Sequence, residues 1–216
     1  MELILASGSP RRRELIKMCG YDFTVMPSRA EEIFCGRSPR ARAKKLAELK
    51  AREVFSRLPE EARGRSAVIG SDTVVALHGK LLGKPASAEE AKEMLRMESG
   101  RENRVSTGLC VIAPRAALLR EPGEHFGVSF ENIGGTEAVV LSACDTARVR
   151  FAVLSEEEIE EYVASGDPLD KAGAYGIQGA FSAHIEGVTG SYFTVVGLPV
   201  RLLYEALSAL GAKRRL

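Results

Sequence analysis

Short apolar runs, several of them followed by a marked helix start, constrain this chain more than any other feature of its sequence. Leu3-Ile4-Leu5 reads as a buried strand. Ser9-Pro10 then opens a helix, with Ser9 at the N-cap and Pro10 at the first helical position. Leu15, Ile16 and Cys19 supply that helix's apolar face, and Gly20 ends it. Ser38-Pro39 repeats the device ahead of Ala43, Leu46, Ala47, Lys50 and Val54 at helical spacing. Ala67-Val68-Ile69-Gly70 is a second buried strand, running directly into Ser71-Asp72-Thr73. Ser87 with Glu90, and Ser155 with Glu158, make capping boxes for two further helices. Val105 to Ile112 reads as a strand, as do the alternating Ala147, Val149, Phe151 and Val153, and Pro199 starts a last helix ending near Gly211. This loose alternation predicts an α/β domain on a mixed sheet.

The remaining stretches are less regular. Tyr21, Phe23 and Val25 alternate as a half-buried strand would, and Val74 to Leu82 folds back over His78-Gly79 as a hairpin. Leu58 to Arg65 reads as a charged surface loop, and Gly166 to Gly197 as loops and a hairpin. Residues 114–137 lack a period and read as an exposed insertion, loop or hairpin, within one domain spanning 1–216. A net charge of +1 gives no general pull towards nucleic acid. Cys19, Cys35, Cys110 and Cys144 form no paired spacing, which argues for reduced thiols and against structural zinc. Leu3-Ile4-Leu5 is too short for a signal peptide or a membrane span, so a cytoplasmic chain is expected. The basic tail Lys213-Arg214-Arg215 reads as a frayed end.

Three places invite chemistry. A helix N-terminus attracts anions, yet Ser9-Pro10 leads into Arg11-Arg12-Arg13. An anion neutralising them would make this turn a phosphate cradle; otherwise the arginines face solvent or pair with distant acids. Lys50 falls on its helix's apolar stripe, where an ammonium either snorkels or reaches a phosphate. Asp72, read as lying just past a buried strand, suits a metal or a general base, and equally a turn cap. Lys84 adds a cation, Glu31-Glu32 a carboxylate pair that is otherwise a solvated acidic patch. Gln178 sits in a Gly-rich loop from Lys171 to Gly179, where its amide suits a base edge and a plain turn is the alternative. His78, His125 and His184 lack zinc spacing, and neither a P-loop nor a G-x-S-x-G elbow occurs.

Taken in order, LASGSPRRREL, the acidic EE, LAELKA, IGSDTVV, LGKP, SGRENRVSTGL, DKAGAYGIQG and GSYFTVVGLP resemble the Maf family of nucleoside triphosphate pyrophosphatases over nearly the whole chain. The resemblance implies a mixed, elongated, twisted sheet flanked by helices with a central cleft, like that of inosine triphosphate pyrophosphatases. It implies cleavage of a small-molecule nucleotide between its α- and β-phosphates, with a divalent cation, Mg²⁺ or Mn²⁺. Asp72 would then be the proton acceptor and would share the metal with Glu32. Ser9, Arg12, Lys50 and Lys84 would hold the phosphates. Arg11, Thr73 and Gln178 fall where subfamilies diverge and look like the dTTP/UTP type. A homodimer without nucleic-acid or membrane partners is implied too. A second expectation is a nucleotide-binding regulator of septum formation and cell division with little turnover. Asp167-Pro168 departs from the usual Glu-Pro, Asn103 from a common histidine, and the 114–137 insertion is long.

Overall fold

The computed structural model describes residues 1–31 and 38–215. Its elements, in chain order, are β1 (Glu2–Leu5), α1 (Pro10–Met18), β2 (Thr24–Val25), α2 (Pro39–Arg57) and α3 (Glu60–Arg63). They continue as β3 (Ser66–Leu77), β4 (Lys80–Leu82), α4 (Ala88–Glu98), β5 (Glu102–Pro114), β6 (Gly127–Ile133) and β7 (Thr136–Phe151). The last are α5 (Glu156–Ala164), β8 (Ile185–Thr189), α6 (Tyr192–Val196) and α7 (Val200–Ala209). Among the described residues the strands follow the order β2-β1-β3-β5-β7-β6, with β4 on β3 and β8 on β7. β1 is parallel to β2 and β3; β4, β6 and β8 join antiparallel. The mixed sheet with helices against it is the predicted class.

The chain divides into two compact units, the first comprising Met1–Asp72, Thr107–Asp145 and Gly197–Leu216, the second Thr73–Ser106 and Thr146–Val196. In the first unit α2 presents a stripe of alanines to the sheet, and Ala43, Ala47 and Ala51 are fully buried. Two glycines allow that closeness. A Cβ on Gly70 would stand 2.2 Å from the Ala47 carbonyl oxygen, and one on Gly108 would stand 2.2 Å from that of Ala43. No larger residue fits a helix laid this near to β3 and β5. Around this contact Ile4, Val54, Phe55, Val68 and Ile112 form the core. Truncating the wholly buried Phe55 to Ala should cost about 3–5 kcal/mol.

The second unit packs α4 and α5 together over an aromatic core. Phe151 meets Tyr175 edge-on with ring centroids 4.7 Å apart, and Tyr162 meets Phe181 at 4.5 Å. Helix α5 starts on a complete capping box: Glu158 N donates to Ser155 Oγ and Ser155 N to the Glu158 carboxylate. Ser87 caps α4 through Glu90 N, but the Glu90 carboxylate accepts from Ala86 N instead of Ser87, so the second predicted box is one-sided.

Several segments differ from expectation for identifiable reasons. β2 has only two residues, both exposed, because it lies at the sheet edge. The stretch read as a surface loop from Leu58 contains α3, and Arg63 within it is buried. Its guanidinium donates to the carbonyls of Ser56, Leu58 and Gly134 and to Thr136 Oγ1, partners that sequence proximity only half reveals. Residues 114–137 resolve into a short 3-10 turn at Arg115–Ala117 and the β6 arm of a hairpin with β7. β7 begins well before the alternation that was read from Ala147. The basic tail is docked, not frayed: Arg214 Nε donates to Cys19 O and Arg215 N to Gly20 O, capping the C-terminal end of α1. Cys19, Cys110 and Cys144 are free thiols; Cys35 lies outside the described residues. No helix among the described residues is long and apolar enough to cross a membrane.

Candidate functional site

Strand register brings the arginine turn and the Asp72 segment together in the first unit. β1 and β3 run parallel with Leu5 opposite Ile69, and Ala6 N donates to Ile69 O at 2.8 Å. Both strands then carry on into small polar residues, Ser7-Gly8-Ser9 on one and Ser71-Asp72 on the other. Ser9 caps α1 by accepting from Arg12 N at 3.4 Å, while its own amide donates to Ser7 Oγ. The first turn of α1 holds no acid, and Arg11, Arg12 and Arg13 are all half-buried. Arg13 Nε is buried with no hydrogen-bond partner among the described residues.

Arg12 does not wave in solvent. Its Nε donates to Gly197 O at 2.8 Å and its Nη1 to Ser7 Oγ at 3.0 Å. The single Ser71 hydroxyl proton is shared between the same Gly197 oxygen at 3.1 Å and Gly108 O at 2.9 Å. The turn that carries the arginines and the residue beside Asp72 are therefore joined through one carbonyl. Those bonds hold a permanently charged, planar group at the start of α1, where the helix dipole already favours an anion.

Asp72 lies within β3, not just past a strand end, because Val74 to Leu77 continue the same strand into the hairpin with β4. Side chains alternate along a strand, so Gly70 and Asp72 share the face that meets α2, with Ser71 on the other. Helix α2 sits close over Gly70, and one turn along it Lys50 reaches down so that Nζ lies 2.5 Å from Asp72 Oδ1. The two side chains are only 14% and 11% exposed. Lys50 thus neither snorkels outward nor stands alone; it neutralises a carboxylate that would be costly to bury unpaired. The pair is a charge-assisted hydrogen bond at the edge of water.

The second unit holds the remaining described candidates. Thr73 follows on β3, and Lys84 is exposed just beyond β4. Gln178 is exposed in a bend. The loop that bears it is tied down along its length. Gly173 N donates to Gly83 O, next to Lys84. Tyr175 reaches a buried pair in which Asn103 Nδ2 donates to Glu98 Oε1 at 2.6 Å and to the Tyr175 hydroxyl at 3.2 Å. Burial pushes the Glu98 carboxyl up to about 8, with the Asn103 bond pulling weakly the other way.

Glu32, expected to share a metal with Asp72, lies outside the described residues. Among those described, no group of three or more His, Cys, Asp or Glu side chains is placed to hold a metal ion. Ser7, Ser71 and Gly197 were not singled out from sequence. All three stand inside segments quoted above, but no role was assigned to them, and Gly197 is 185 residues from the Arg12 side chain it holds.

Residues 2–210 match the family profile described as Maf-like protein. A Thermococcus gammatolerans protein named dTTP/UTP pyrophosphatase is 42% identical over 203 residues, covering 94% of this chain and 94% of its own. One of the same name from Agathobacter rectalis is 40% identical, covering 97% of this chain and 98% of its own. Another, from Aquifex aeolicus, is 38% identical, covering 97% and 96%.

Proposed function

The chain belongs to the Maf-like protein family, and from that premise we propose that it hydrolyses dTTP and UTP to the monophosphate and pyrophosphate. The observation that carries this reading is the convergence of Arg12 and Ser71 on Gly197 O, beside an Asp72–Lys50 pair that borders solvent. Phosphoryl chemistry of this kind asks mainly for positioning and for neutralisation of spread negative charge.

In the proposed reaction Ser9 and Arg12 hold the triphosphate at the start of α1, with Lys50 and Lys84 as further cations. Arg11, Thr73 and Gln178 discriminate the nucleotide. Asp72 accepts a proton from water as the water oxygen bonds to the α-phosphorus. The bond from that phosphorus to the bridging oxygen breaks, and pyrophosphate leaves with the electron pair. Lys50 pairs with Asp72 before the substrate arrives, and an incoming phosphate competes for its ammonium.

A lone carboxylate with hard oxygen donors fits Mg²⁺ or Mn²⁺, which fill their remaining positions with water and phosphate oxygens. Asp72 with Glu32 would hold that ion, and when bound it would supply further neutralisation of the phosphates. The protein acts in the cytoplasm as a homodimer on a free nucleotide, without a nucleic-acid or membrane partner, in keeping with its net charge of +1.

Incubation with dTTP, UTP, CTP and purine triphosphates plus Mg²⁺ or Mn²⁺, with pyrophosphate and orthophosphate measured separately, tests the reading. Pyrophosphate should appear fastest from dTTP and UTP. Asp72→Asn should slow its release by roughly 10²–10⁴-fold while nucleotide still binds. Absence of pyrophosphate from every nucleotide, with folded protein, defeats the proposal.

A further inference from the structure

Within the second unit, the exposed end of α5 and the Gln178 loop are joined by a chain of polar contacts that no nucleotide chemistry described above uses. Tyr162, on the last turns of α5, is buried, and its hydroxyl donates to Asp167 Oδ2 at 2.6 Å. The same hydroxyl accepts from Gly176 N at 3.1 Å. Asp167 is delivered to that spot by local geometry. Ser165 ends α5, Gly166 turns in the left-handed region at φ 75°, and Asp167 N donates back to Ser165 Oγ.

Lys171 closes the circuit from the other side. Its Nζ donates to the Asp167 carboxylate at 2.8 Å, to Asp167 O at 2.6 Å and to Asp170 Oδ1 at 2.7 Å, and its side chain is only 10% exposed. The loop then folds over the lysine's own stem. A Cβ at Gly176 would stand 2.8 Å from Lys171 Cε and 3.3 Å from Gln178 O, so a side chain there would press on the lysine stem that the Asp167 and Asp170 bonds hold.

We propose that Asp167, Tyr162 and Lys171 form a clamp that fixes the backbone of residues 176–178 and thereby sets nucleotide discrimination through Gln178. The clamp residues are positioning residues. None of them touches the nucleotide in this scheme; they act by holding the loop's N–H and C=O groups in one place, so that the exposed Gln178 amide meets a base edge already oriented. The specificity half of the inference rests on the proposed pyrophosphatase function, whereas the clamp itself does not.

Two measurements separate these halves. In hydrogen–deuterium exchange of the full chain, Tyr162→Phe removes the acceptor of Gly176 N, and exchange at amides 176–178 should rise roughly tenfold or more. The same acceleration is expected for Asp167→Asn, and Asp167→Glu, which keeps a carboxylate, should restore slow exchange. Unchanged exchange in both variants, with melting confirming folded protein, overturns the clamp whether or not the protein hydrolyses anything.

For specificity, KM and kcat are measured with dTTP, UTP and CTP. Asp167→Asn should raise KM for dTTP and UTP by roughly tenfold with kcat little changed, narrowing their lead over CTP. In a Gln178→Ala background the same substitution should have almost no further effect on that ratio. Faster exchange with an unaltered substrate ratio, or equal effects of Asp167→Asn with and without Gln178, overturns the link to discrimination. A wild-type chain inert towards every nucleotide defeats the pyrophosphatase reading alone and leaves the exchange result standing.

Discussion

Glu98 offers the sharpest prediction. Its carboxyl is wholly buried, Oε1 accepts from Asn103, and Oε2 has no partner among the described residues. Burial raises its pKa from 4.5 to about 8. The folded chain therefore keeps a proton on Glu98 across that window which the unfolded chain releases. Stability from this group is fully present below about pH 4.5 and falls as pH rises, until the folded form also ionises near pH 8. Each pH unit in the window removes about 1.4 kcal/mol, so raising pH from about 5 to about 7.5 should cost about 3 kcal/mol. That is a sizeable fraction of the ~5–15 kcal/mol that holds a typical domain together. Glu98→Gln keeps the acceptor for Asn103 and cannot titrate. Urea unfolding of both proteins over this range should show the variant gaining on the wild type by about 3 kcal/mol between the two ends, since all other titrations cancel in the difference. A difference that stays flat with pH would show that Glu98 ionises normally and that its burial is relieved in solution.

Two further perturbations test how the first unit builds its site. Gly70→Ala places a methyl where only 2.2 Å separates it from Ala47 O, so α2 must shift away from β3. We expect about 1–3 kcal/mol of destabilisation by thermal unfolding and a fall in kcat as Lys50 withdraws from Asp72. Lys50→Met strands a carboxylate that is 11% exposed, and should destabilise by about 3 kcal/mol. Adding Asp72→Asn should recover most of that loss; urea titration of the double variant checks it, and additive losses would mean the pair is not coupled.

The parts of the fold that could be read in advance were those written in local chemistry. Ser9-Pro10 and Ser38-Pro39 cap and open helices within three residues of themselves, and both did so here. Ser155 and Glu158 closed their box for the same reason. Elements whose shape is decided far along the chain were misjudged. Arg63 looked like loop charge because two of its partners, Gly134 and Thr136, lie 71 and 73 positions away. Asp72 looked like the residue after a strand because three polar residues interrupt the apolar run, while pairing with β4 carries β3 onward. Residue types in the site were legible, since arginines at a helix start and a lysine on an apolar stripe each contradict the ordinary rules of placement. Their mutual arrangement was not, because Lys50 meets Asp72 only through the glycine-thin contact of α2 with the sheet.

The Gly197 carbonyl has a consequence for the order in which the molecule is made. A carbonyl oxygen offers two lone pairs, and here Arg12 and Ser71 use one apiece. Arg12 leaves the ribosome 185 residues ahead of the group that orients it. Until then the nascent chain owns its cations without a fixed geometry for them. Under the proposed function, a fixed grip on a triphosphate is acquired only once residue 197 has been made.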